Sequence, residues 1–121
     1  MSDITEKQDI ENNWKKVLAF FKQTIGKQPS DLKGVLFLIG IQELGVGPDS
    51  FSKEQKQDLI HIGTCKVLSL GGYYFLAGKD QDGWPHWELV KKLPAFDLMT
   101  QETLLKTYVI EYLRQEIGLH I

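Results

Sequence analysis

Residues 32–44 read Leu-Lys-Gly-Val-Leu-Phe-Leu-Ile-Gly-Ile-Gln-Glu-Leu, and on a helix these apolar side chains point in every direction rather than along one stripe. A helix of that kind must be covered on most sides. The segment therefore predicts the central helix of a helical domain, or a helix shared with a second subunit. Ser30 or Asp31 caps its start and Gly45 marks its end, while Gly34 and Gly40 weaken it locally. A strand over residues 35–41 is the competing reading, because a short apolar run carries no diagnostic period. The run is also far short of the ~20 apolar residues that cross a bilayer, so no membrane segment is expected.

The flanking sequence supplies partners for such a helix. Ile10, Trp14, Val17, Leu18, Phe21 and Ile25 recur at helical spacing and predict a first helix over residues 5–25, with Thr5 and Gln8 as a capping box and Gly26 and Pro29 beyond its end. Gly45-Val46-Gly47-Pro48-Asp49 reads as a loop. Ser52 with Gln55 opens a third helix that reaches Leu70 before Gly71-Gly72, with Leu59, Ile60, Ile62, Val67 and Leu70 on its buried face. Near the end, Thr100 caps a fourth helix whose stripe is Leu104, Leu105, Tyr108, Val109, Tyr112, Leu113 and Ile117, stopped by Gly118.

Between the third and fourth helices the period changes. Tyr73-Tyr74-Phe75-Leu76-Ala77, the turn Asp80-Gln81-Asp82-Gly83 and the run from Trp84 to Val90 read as a β-hairpin, with Asp-Gly as the turn signal. Pairing across the turn puts Tyr74, Leu76, Trp87 and Leu89 on one face. Tyr73, Phe75, Ala77, His86, Glu88 and Val90 fall on the other. Pro85 lacks a backbone donor and predicts an edge position for its strand. The expected fold is mainly α, a four-helix bundle-like core in one domain over residues 1–121, with a single hairpin between helices 3 and 4.

Composition narrows the function classes. A chain of 121 residues with 42% apolar and 25% charged residues has the balance of a globular domain. Its single cysteine, Cys65, forms no internal disulfide, and the Met1-Ser2-Asp3-Ile4-Thr5-Glu6 start has no signal-peptide pattern; both predict a reducing, cytoplasmic setting. With a net charge of −2 there is no basic footprint for nucleic acid, and Lys15-Lys16 and Lys91-Lys92 read as solvated faces.

The segment Gly72-Tyr73-Tyr74 through Asp80-Gln81-Asp82-Gly83-Trp84-Pro85-His86-Trp87, followed by Leu93-Pro94 and the tyrosine-containing last helix, resembles a family of small uncharacterised bacterial proteins. The resemblance is confined to the C-terminal part of the chain and implies no activity and no functional residue.

Two constellations carry chemistry. On the hairpin, His86 and Glu88 share a face with Tyr73 and Phe75, and Trp84 lies close by: an imidazole exchanges protons near neutral pH, a carboxylate sets its tautomer, and aromatic walls hold a planar or apolar ligand. On the third helix, Glu54, Asp58, His61 and Cys65 fall within roughly 60° of one another at ~100° per residue, a polar line on which His61 could activate the Cys65 thiol or the same atoms could bind zinc. The plainer readings are a packing hairpin and a solvated helix face with an incidental thiol, and the hairpin is the preferred site. Asp80-Gln81-Asp82-Gly83 fails the register of a calcium loop, since Leu89 would stand where the closing glutamate belongs, and Gly45-Val46-Gly47 follows a helix rather than opening one, unlike a phosphate loop. No metal or cofactor is implied.

With no complete catalytic set, the sequence reads first as a non-catalytic interaction or assembly module, in which the all-round apolar second helix and the surplus aromatics favour a homodimer. A small ligand-binding protein or enzyme using the hairpin face is the alternative.

Overall fold

A computed structural model describes residues 3–45, 50–93 and 98–121. It is mainly helical, with α1 (Asp3–Ile25), α2 (Leu32–Leu44), α3 (Lys53–Ser69) and α4 (Leu98–Tyr112), the last running on into a π-helical turn at Leu113–Ile117. Strands β1 (Tyr74–Lys79) and β2 (Pro85–Leu89) form one antiparallel hairpin between α3 and α4, as the change of period predicts. The chain divides into two compact units, one containing α1 and α4, the other α2, α3 and the hairpin. Among the described residues no helix is long and apolar enough to cross a membrane.

In the first unit α1 packs on α4. Trp14, Val17 and Phe21 are buried on α1, and Val109, Ile110, Tyr112 and Leu113 at the end of the other helix. Lys106 lies 5.3 Å from the centre of the Trp14 ring and 3.1 Å from Glu11, so its charge is held at the edge of the apolar seam. The expected stripes run longer than the buried seam: Ile25 and Ile117 are 50% and 39% exposed. Both helices also begin earlier than expected, so Thr5 and Thr100 lie within them rather than ahead of them. The side chains of Thr5 and Thr100, most of the loop at 45–49 and the connector after Leu93 lie outside the described residues.

The second unit is organised by two glycines. A methyl group on Gly40 would overlap the backbone carbonyl of Leu59, and one on Gly63 would overlap the Leu36 carbonyl and lie 3.2 Å from the Gly40 nitrogen. The backbones of α2 and α3 therefore touch where they cross, an approach that only residues without a Cβ permit. Around the crossing Val35, Leu36 and Ile39 of α2 and Leu59, Ile62, Cys65, Val67 and Leu68 of α3 are buried. Gly40, which from the sequence reads as a weakness in α2, is the point of closest packing. Ile60 and Leu70, expected on the buried face of α3, are only half-buried, while Gly63, Cys65 and Leu68 are buried as well.

The ends of α3 follow the sequence signals. Ser52 and Gln55 form a reciprocal capping box, with the Gln55 amide donating to Ser52 Oγ at 3.1 Å and the Ser52 amide donating to Gln55 Oε1 at 2.9 Å. At the other end Gly72 adopts φ 80°, its amide donating to the Ser69 carbonyl while the Tyr73 amide donates to the Leu68 carbonyl. This is a Schellman ending, and it turns the chain directly into the hairpin.

Substituting Gly40→Ala or Gly63→Ala is expected to lower unfolding free energy by about 1–3 kcal/mol, the usual cost of overpacking, whereas Lys56→Ala on the exposed side of α3 should change it by less than about 0.5 kcal/mol. Urea denaturation followed by far-UV circular dichroism checks the contrast.

Candidate functional site

The hairpin tip is built by one carboxylate. Asp80 Oδ1 accepts hydrogen bonds from the amides of Asp82 and Trp84, each at 2.9 Å, while the Asp80 amide donates to the Trp84 carbonyl and Gly83, at φ 84°, donates to the Asp80 carbonyl. Asp and Gly are suited to this turn because one supplies a local acceptor and the other a positive φ. Beyond it the strands pair Tyr74 with Leu89, Phe75 with Glu88 and Leu76 with Trp87, then slip through a bulge so that Gly78 faces His86. The alternation expected from the sequence thus holds from Tyr74 to Leu76. The bulge changes it towards the tip.

The bulge and the tip turn bring His86 to Asp80, with Nε2 3.6 Å from Oδ2, rather than into company with Glu88. Glu88 stands opposite Phe75, and both are exposed. Tyr73 is half-buried under the Lys91 ammonium, 4.3 Å from its ring centre, and that lysine also donates to the Gly71 carbonyl at 2.9 Å. Of the five hairpin residues singled out in the sequence, Trp84 and His86 come together and Tyr73, Phe75 and Glu88 lie elsewhere.

Trp84 and His86 meet Asp58 and His61, two of the three exposed residues of the α3 line; the third, Glu54, does not line the groove. Asp58 and His61 of α3, with Asp80, Asp82, Trp84 and His86 of the hairpin, line an open groove of about 440 Å³ to which Gln55, Ile62 and Pro85 also contribute. Parts of the two constellations of the sequence, Trp84 and His86 from one and Asp58 and His61 from the other, therefore line one groove. The contributions of Asp80, Asp82 and Gln55 were hidden because they depend on how the hairpin folds back onto α3. A second groove of about 390 Å³ lies along α1 and α4, where its Arg114 and Glu111 side chains pair with each other at 2.6 Å.

Cys65, the last residue of the α3 line, is fully buried rather than solvated. Its Sγ lies 3.4 Å from His61 Nε2, and Tyr74 from β1 covers both, its ring 6.5 Å from the imidazole and nearly perpendicular to it. Burial pushes the thiol up to about 11, against a smaller opposing effect of the Tyr74 hydroxyl bonded to it. Tyr74 is itself raised, first by burial and then by the neighbouring sulfur. The thiolate is the nucleophile, so burial that favours the neutral thiol works against a nucleophilic role for Cys65 near neutral pH. Among the described residues no three His, Cys, Asp or Glu side chains stand close enough to hold a metal ion.

Scans of protein-family models, of curated proteins and of solved structures return no match to this chain.

The raised thiol links stability to pH. Below pH 9.0, the ordinary thiol value, Cys65 is neutral in both states; as pH rises towards about 11 only the unfolded chain ionises, so the contribution of the buried thiol is lost across that window. The urea midpoint is expected to fall between pH 8.5 and about 10.5 in the native chain and to fall less in Cys65→Ala. At pH 8 a thiol-specific chromogenic reagent should label native Cys65 at least about a hundredfold more slowly than the unfolded chain.

Proposed function

We propose that this chain is a non-catalytic interaction module that assembles as a two-fold homodimer through its hairpin. The observation that carries the reading is the exposure of four large apolar side chains on that hairpin: Phe75, Leu76, Leu89 and Val90 are 59%, 42%, 55% and 60% exposed. They occupy both faces of a sheet of only two strands, each with one outer edge left unpaired within the sheet. An isolated two-stranded ribbon is marginal in water, and apolar side chains beside an unpaired strand edge favour pairing with another chain.

A catalytic reading has less support. The one thiol is buried and neutral, and the imidazole nearest it shares it with a phenol rather than with a carboxylate. The lone reduced cysteine also fits the reducing cytoplasm as the site of action. A net charge of −2 favours a protein partner over nucleic acid.

Sedimentation equilibrium at micromolar concentrations tests the assembly. The expected species is a dimer, and the double substitution Phe75→Ser with Leu89→Ser should weaken association about thirtyfold or more, the ~2 kcal/mol of losing interface anchors, while leaving the helical circular dichroism intact. A native chain that stays monomeric throughout would end this reading.

A further inference from the structure

We infer that the groove between α3 and the hairpin tip binds a small organic cation, an alkylammonium or guanidinium compound. This inference stands apart from hairpin-mediated assembly, since Phe75, Leu76, Leu89 and Val90 do not line the groove. Its volume of about 440 Å³ is in the range of small-molecule sites. Three carboxylates, Asp58, Asp80 and Asp82, line it beside His61 and His86, and among the described residues no lysine or arginine does. Asp80 is engaged, one oxygen by the turn amides and the other by His86. The side chains of Asp58 and Asp82 take no hydrogen bond or ion pair among the described residues. Two carboxylates from separate elements, without an ion-pair partner among the described residues, thus face one cleft.

The aromatic wall points to the same ligand chemistry. Elsewhere the chain places its own cations over aromatic rings, Lys91 over Tyr73 at 4.3 Å and Lys106 over Trp14 at 5.3 Å. Trp84 is half-buried in the groove and carries no such lysine among the described residues. An indole face is the strongest aromatic partner for a cation, and it favours diffuse, weakly hydrated organic cations over compact metal ions. The carboxylates and imidazoles here are also too dispersed to make a metal cage. An ammonium or guanidinium head therefore sits between Asp58 and Asp82 with its alkyl stem along Trp84, Pro85 and Ile62, and His61 and His86 offer hydrogen-bonding edges at the margin.

Titration of ¹⁵N-labelled protein with spermidine and with agmatine, at constant ionic strength, tests this directly. Saturable shifts from either cation are expected at Asp58, His61 and residues 80–86, and 1,6-hexanediol, which has a similar stem without charge, should produce none of them. Asp58→Asn and Asp82→Asn should each weaken binding several-fold, and Trp84→Leu about tenfold. Both aspartates are exposed, so the Asp58→Asn, Asp82→Asn double variant keeps the test valid if Trp84→Leu disturbs the hairpin. The Phe75→Ser, Leu89→Ser variant should bind as the native chain does, which separates this site from assembly. Shifts reproduced by magnesium chloride or by hexanediol, shifts spread over the whole acidic surface, or binding unchanged in the double variant would overturn the inference.

Discussion

The contact on which the second unit depends is the crossing of two helix backbones at Gly40 and Gly63. Each glycine costs a helix about 1 kcal/mol relative to alanine, and neither has a side chain to bury. What offsets that cost is proximity: with no Cβ on either side, the helices approach until each glycine lies against the other helix's carbonyls. Val35, Leu36 and Ile39 of one helix and Leu59 and Ile62 of the other are then buried around an approach that longer side chains would prevent. The crossing also decides which side of α3 is left uncovered. Gly63 faces α2, so Asp58 and His61 remain exposed, where the hairpin can meet them.

The direction of the hairpin comes from the end of α3. The positive φ of Gly72 and the paired bonds to Ser69 and Leu68 reverse the chain within two residues, so β1 leaves along the helix it has just followed. Tyr74 is thereby laid on Cys65 and His61, while Trp84 and His86 are carried back towards the first turns of α3. Asp80 then stiffens the far end by binding two backbone amides that would otherwise be left to solvent. Three local devices of turn chemistry, at Gly72, Asp80 and Gly83, thus hold side chains more than twenty positions apart in sequence around one cleft.

Those local devices are what a sequence displays well. Ser52 with Gln55, the Gly71-Gly72 stop and the Asp-Gly turn act through neighbours along the chain, and each element follows where those signals place it. The register from Tyr74 to Leu76 follows from alternation alone; the bulge at Ala77 does not, because nothing in the local pattern distinguishes a paired alanine from a slipped one. Gly40 and Cys65 read differently in sequence and in structure for a shared reason. A glycine in a helix looks like a weakness, and a cysteine in line with Asp58 and His61 looks exposed, until the positions of α2 and β1 are known. The partner of His86 differs for a like reason: Glu88 shares its face by period, but the bulge and the tip turn bring Asp80 to it.

The same stripe of α3 explains why one end of it is chemically silent and the other open. Asp58, His61 and Cys65 succeed one another at three- and four-residue spacing, so a strand laid across the helix covers some of them and not others. β1 covers the C-terminal end. There the thiol loses its water, the cost of a buried charge falls on the thiolate, and the proton is retained to about pH 11. At the N-terminal end Asp58 and His61 line an open groove together with the hairpin tip, Trp84 among its walls. Asp58 stays exposed and among the described residues pairs with no lysine or arginine. A nucleophile and a carboxylate that look equivalent on a helical wheel therefore end in opposite states, one desolvated and inert, the other solvated and available. The difference is set by where a single strand crosses the helix.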